Sequence, residues 1–98
     1  MFHSFIWSEQ KNKTNIKKHG VGLKAGISVF EDDFRIERYD GDNSSHDEDR
    51  YITIGKDHRT KVLFVAYTMR DEESKIRLIS VRKAESCEIR QYNLNVRR

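Results

Sequence analysis

Between Val62 and Met69 the apolar positions run almost unbroken, and the β-branched and aromatic content marks a strand buried on both faces. The polar stretch Asp71-Glu72-Glu73-Ser74 has turn length, so the next run, Ile76 to Val81, is expected to pair back as an antiparallel hairpin. Strict alternation there puts Arg77, Ile79 and Val81 on one face and Ile76, Leu78 and Ser80 on the other. Upstream, Arg50 to Lys56 alternates Ile52 and Ile54 against Tyr51 and Thr53, which predicts another strand. Phe34 to Tyr39 alternates Phe34, Ile36 and Arg38 against Arg35, Glu37 and Tyr39, a strand exposed on at least one side.

Helical patterns flank these strands. Ser8 can cap a helix from Glu9 to His19, with Gly20 just past its end. Ile16 is its only strongly apolar member, so the helix is expected to depend on Trp7, Ile16 and Val21 packing on the sheet. Leu23 to Phe30 predicts a short second helix, with Leu23, Ile27 and Phe30 on one side and Gly26 weakening it. Ala84 to Asn95 predicts a C-terminal helix in which Ile89, Tyr92 and Val96 recur at helical spacing. Phe5-Ile6-Trp7 is an apolar run suited to an edge strand or a core anchor. The order predicts one small α+β domain over residues 1–98: two N-terminal helices, an antiparallel four-stranded sheet and a C-terminal helix.

Composition narrows the class. Hydrophobic residues make up 36% of the chain and charged residues another 36%, so the core is small. No apolar run approaches the roughly 18 residues of a membrane span. The opening MFHSFIWSEQ lacks the basic start and apolar centre of a signal peptide, so a cytoplasmic location is expected. Cys87 is the sole cysteine; it allows no internal disulfide or thiolate metal cluster and is expected to be a small packing residue. Asp40 to Asp49 is rich in Gly, Asn, Ser and acids and reads as a mobile loop, without the spacing or closing glutamate of a calcium loop. No metal or cofactor is expected.

Charge adds a partner class. The net charge of +3 divides into +4 over residues 1–30, −7 over 31–49 and +6 over 50–98. The two outer basic parts favour polyanions, such as nucleic acid, or an acidic protein. Lys11, Asn15 and Lys18 share one face of the first helix, with Lys13 and Lys17 beside it. Lys18 and His19 also suit the negative end of the helix dipole.

Several segments in order then resemble the BrnT family, the toxins of BrnT/BrnA toxin–antitoxin pairs. They are Trp7, Lys11, Asn15 and Lys18-His19-Gly20-Val21, then Val29-Phe30-Glu31-Asp32, Glu48, Arg50 and Ile54-Gly55. Thr68 and Arg70 follow, then Arg77 to Ala84, which is similar to the family's RIISARxA stretch, and finally Glu88 and Tyr92. The chain departs from the family pattern at Phe34, where proline is usual, and in the longer turn at 71–74. The resemblance implies a RelE-like fold and a toxin that cleaves RNA and inhibits translation. It also implies neutralisation by a BrnA-type antitoxin with a ribbon-helix-helix part, through which alone the complex would reach operator DNA.

Metal-independent RNA cleavage uses the ribose 2′-OH as nucleophile on the adjacent phosphate. It needs a base, an acid for the leaving oxygen, and fixed cations for the extra phosphate charge. Arginine suits the last task through its planar, permanently charged fork. Arg70, Arg77 and Arg82 are the first choice, with Arg50 able to join them. Glu88 and Tyr92, neighbours at i and i+4 near Arg82, are candidates for proton transfer. Glu48 and His46 become candidates only if the acidic loop folds over the sheet. Lys11, Lys18, His19 and Arg50 are the expected RNA-binding set. Each arginine also has a plainer role open to it: Arg77 could pair with Glu72 or Glu73, and Arg82 with Glu85 or Glu88.

Two competing readings fit the charge pattern. One is a non-catalytic basic nucleic-acid-binding module, although no helix-turn-helix, zinc or RNA-recognition pattern is present. The other is a protein whose basic faces dock an acidic partner.

Overall fold

The structure is a computed structural model that describes residues 4–70 and 74–97. Its elements are β1 (Ser4–Ile6), α1 (Glu9–His19), a 3-10 helix (Leu23–Glu31), β2 (Ile36–Tyr39), a short 3-10 turn (Gly41–Asn43), β3 (Arg50–Lys56), β4 (Val62–Arg70), β5 (Lys75–Lys83) and α2 (Ser86–Val96). The strands form one sheet in the order β1-β5-β4-β3-β2. This corrects the expected four-stranded antiparallel sheet: among the described residues there are five strands, and β1 runs parallel to β5 with Phe5 opposite Ile76. The other three pairings are antiparallel. The expected turn at 71–74 falls mostly outside the described residues.

β5 contains the main departure from simple alternation. Ala66 pairs with Ser80 and the next β4 residue, Tyr67, pairs with Leu78, so Ile79 is an extra residue in a bulge. The bulge resets the faces. Ile76, Leu78 and Val81 are buried together in the core, and Arg77, Ser80 and Arg82 share the opposite face. The alternation expected from sequence, with Arg77 and Val81 on one side, is overturned because an irregular strand does not keep period two.

One face of the sheet is covered by the 3-10 helix. Leu23, Gly26 and Val29 are its buried residues, at intervals of three, which is the period of a 3-10 winding rather than an α-helix. The expected short second helix is therefore present in 3-10 form; of its expected stripe, Leu23 is buried and Ile27 and Phe30 pack against the core. Gly26 sits where a Cβ would lie 2.9 Å from Val81 Cγ2 and 3.1 Å from Val65 Cγ2, so only glycine lets this helix lie so close to the sheet. The core consists of Leu63, Val65, Tyr67, Ile76, Leu78 and Val81 against Leu23 and Val29.

Polar groups fix both α-helices; of the apolar anchors expected, Trp7 and Val21 beside α1 pack against the core and Tyr92 of α2 is buried, whereas Ile16, Ile89 and Val96 are not. Asn15 is the buried residue of α1. Its amide donates to the Val21 and Val81 carbonyls at 2.8 and 2.8 Å, and its carbonyl accepts from the Val81 N–H at 3.1 Å. It thereby closes the outer edge of β5 beyond β1, while Ile16 is 48% exposed. On α2 the buried residues are Glu88 and Tyr92, and Ile89 and Val96 face outward. Cys87 is exposed, not packed, because it lies in the first turn of α2 away from the sheet.

Candidate active site

The sheet face opposite the 3-10 helix carries the arginines. In register across it run Arg50, Thr68 and Arg77 from β3, β4 and β5. Arg70 lies one step further along β4, and Arg82 opposite Phe64 lies at the other end. The bulge at Ile79 is what brings Arg77 and Arg82, five positions apart, to the same side.

Glu48 joins two of these strands. Its carboxylate lies 3.5 Å from Arg50 Nε and accepts a hydrogen bond from Arg70 Nη2. The acidic loop thus folds over the end of the sheet. It is held by its own hydrogen bonds: Ser44 Oγ donates to the Asp40 carbonyl at 2.7 Å and accepts from the Arg50 N–H at 2.8 Å. Ser45 and Glu48 bridge their backbones at 2.8 and 3.3 Å. The loop read from sequence as mobile is tied to itself and to β3. Between Arg50 and Arg77 lies Thr68, whose Oγ1 is buried with no hydrogen-bond partner among the described residues.

A groove of about 470 Å³ borders this cluster. Lys11, Thr14, Lys18 and His19 of α1 line one side, and Arg50, Ile79 and Ser80 of the sheet line the other. Lys11, Lys18, His19 and Arg50, singled out in the sequence as RNA contacts, therefore share one concavity. The groove exists because Asn15 pins α1 beside the bulge.

At the far end, Arg82 Nη1 and Nη2 donate to the two Glu88 carboxylate oxygens at 2.9 and 2.9 Å. The guanidinium also lies 3.8 Å from the centroid of the Phe64 ring. Burial tends to raise the Glu88 pKa. Hydrogen bonds from Arg82 and from the Glu85 N–H (2.7 Å) outweigh it and hold the carboxyl below its ordinary value. The same bond to Glu88 raises the Arg82 pKa. Tyr92 Oη donates to Asp32 Oδ2 at 2.6 Å, and burial plus that carboxylate pushes the phenol well above its ordinary range. Asp32 also accepts the N–H groups of Phe34 and Lys56 at 2.9 and 2.8 Å. Glu88 thus bonds Arg82, and Tyr92 ties α2 to Asp32. Arg70, Arg77 and Arg82 share the face but fall in two groups, with Arg70 in the Glu48 cluster and Arg82 clamped beneath α2.

Among the described residues, no group of three His, Cys, Asp or Glu side chains is placed to hold a metal ion. No helix among them is long and apolar enough to cross a membrane. Thr68 and Ser80 were not anticipated as site residues. The spacing of three between Leu78 and Val81 was the one available signal of the bulge that exposes Ser80.

The family model described as ribonuclease toxin, BrnT, of type II toxin-antitoxin system matches residues 7–88. The chain belongs to this BrnT family. Its fold is similar to that of the Brucella abortus ribonuclease toxin BrnT. That comparison has a TM-score of 0.56 and covers 87% of this chain and 100% of the Brucella BrnT chain, at 22% identity. No curated protein matches in sequence. The BrnT match spans the α1 groove, the Glu48 loop and the arginine face, and ends at Glu88.

Proposed function

We propose that this chain is an endoribonuclease toxin of a type II toxin–antitoxin system that cleaves RNA without a metal ion and thereby inhibits translation. The observation that supports this most strongly is the set of arginines on one sheet face beside a lysine-lined groove. Arg70 and Arg77 hold the scissile phosphate, where their forks offset the charge that builds up as the 2′-oxygen attacks. Arg50, Lys11, Lys18 and His19 hold the flanking backbone. Arg82, fixed by Glu88, extends the cationic face along the RNA, and Tyr92 keeps α2 seated through Asp32. Glu48, the carboxylate between Arg50 and Arg70, takes the 2′-OH proton; the 2′-oxygen bonds to phosphorus as the bond from phosphorus to the 5′-oxygen breaks, leaving a 2′,3′-cyclic phosphate, and solvent water protonates the departing 5′-oxygen.

The expected partner is a BrnA-type antitoxin with a ribbon-helix-helix part, through which the complex binds operator DNA. The substrate is mRNA, free or on the ribosome, in the cytoplasm. The family's description as toxins of type II systems supports this part of the reading.

The test is incubation of the purified, antitoxin-free chain with a defined RNA in EDTA, beside Arg70→Ala. The parent is expected to yield fragments, and the variant to cut about 10²–10³-fold more slowly, the scale of losing one fixed charge-stabilising donor. RNA left intact by the parent, with and without added ribosomes, would overturn the nuclease reading. It would favour a basic binding module instead.

A further inference from the structure

A second concavity lies on the other face of the sheet, at the opposite end from the Glu48 cluster. It has a volume of about 510 Å³ and forms where the start of the 3-10 helix meets the turn between β3 and β4. Its floor includes Val21, Ala25 and Leu63. Lys24, Arg59, Lys61 and Lys83 stand around it, all exposed, and none of them forms an ion pair among the described residues.

The acid in the lining is Asp57, and it is already engaged. Its Oδ1 accepts the N–H groups of Arg59 and Lys61 at 2.9 and 2.9 Å. Four cations against one carboxylate leave the lining at +3. The turn that presents Arg59 and Lys61 is set before any partner arrives. Asp57 and Thr60 close it through backbone hydrogen bonds of 2.9 and 3.0 Å, and Thr60 holds a left-handed φ of 69°. Ser28 Oγ accepts the His58 N–H at 3.0 Å and ties the turn to the 3-10 helix.

We infer that this groove is a docking surface for an acidic, amphipathic segment of the antitoxin. The inference rests on reading the chain as an antitoxin-controlled toxin. An apolar floor under a cationic rim calls for apolar side chains flanked by carboxylates, the complement of both features at once. RNA fits it less well. The floor of Val21, Ala25 and Leu63 is apolar where a nucleic-acid channel is polar, and the lining holds no Phe, Tyr or Trp, leaving His58 and Arg59 at the turn as its flat side chains. The hydrogen-bonded backbone of the turn at 57–61 lowers the part of the ordering cost that comes from the main chain. The surface is separate from the arginine face, so an antitoxin held here leaves that face for the rest of its chain to cover.

The test measures binding of the antitoxin encoded with this chain by calorimetry at fixed salt. The parent is compared with Lys24→Glu/Lys61→Glu and with Lys24→Gln/Lys61→Gln. Both positions are exposed, so the unfolding midpoint is expected to hold in both variants. The charge reversal is expected to weaken binding about tenfold or more, and the glutamine variant by a smaller factor, the graded loss typical of rim charges. Both variants are expected to cleave RNA at the parental rate. Unchanged antitoxin affinity in the reversal variant would overturn the inference, as would no binding by the parent. Weaker RNA binding with intact antitoxin binding would overturn it too and give the groove to RNA. If the parent cleaves no RNA yet the reversal still weakens antitoxin binding, the nuclease reading fails and this inference stands.

Discussion

Glu88 accepts from both terminal nitrogens of Arg82 and from the Glu85 N–H, so its carboxylate keeps its charge although the residue is 7% exposed. Replacing Arg82 with alanine leaves that carboxylate without its counter-charge and costs about 1–3 kcal/mol, readable by urea unfolding at pH 7. The acid response has a definite sign. The folded Glu88 pKa lies below the ordinary value of 4.5, so its contribution is present above 4.5 and is lost as pH falls through the folded value. Asp32 and Glu37 shift in the same direction and add to the effect. Glu88→Gln is therefore expected to lose less stability than the parent as pH falls below 4.5. Identical acid profiles would remove this account. That Glu88 and Tyr92 share a helix face was legible from their spacing. The Tyr92 partner, Asp32, sits 60 residues away, and only the fold brings it there.

Strand β5 is the element that decides the site. In a regular strand Arg77 and Arg82 fall on opposite faces; the bulge at Ile79 gives them one. Removing the extra residue restores a regular ladder, with Ser80 opposite Ala66, Leu78 opposite Tyr67, and every other residue on its present face. Deletion of Ile79 is therefore expected to leave a folded protein with a cooperative thermal transition. A strand without the bulge would have its core residues turned to solvent by the same deletion and would unfold. Circular dichroism on the deletion variant separates the two. The helices teach a related point. Their positions were legible from caps and from Gly20, but their anchors were not, because Asn15 and Glu88 act through hydrogen bonds and not through an apolar stripe.

At the scale of the whole molecule, the basic charge is divided between two surfaces on opposite faces of the sheet. They are expected to differ in how they respond to salt. RNA affinity should fall as salt rises, by about 0.7 in log–log slope for each phosphate neutralised. Lys11→Ala and Lys18→Ala are each expected to flatten that slope by about this amount, whereas Lys24→Ala is expected to leave it unchanged. Filter binding across a salt series measures all three. Equal flattening by Lys24→Ala would merge the two surfaces into one RNA footprint.

The amino-acid sequence by itself determined the strands β3 and β4 almost to the residue, both ends of α1, and the residue types suited to phosphate. Those are local properties: apolar alternation, capping chemistry and the fixed charge of arginine are written within a few neighbouring positions. Tertiary structure decided the parallel pairing of β1 with β5, the bulge, the meeting of Glu48 with Arg50 and Arg70, and the placing of α1 beside Ser80. Each of these joins groups far apart in the chain. Their energy comes from pairing and packing that exist only once the sheet has formed.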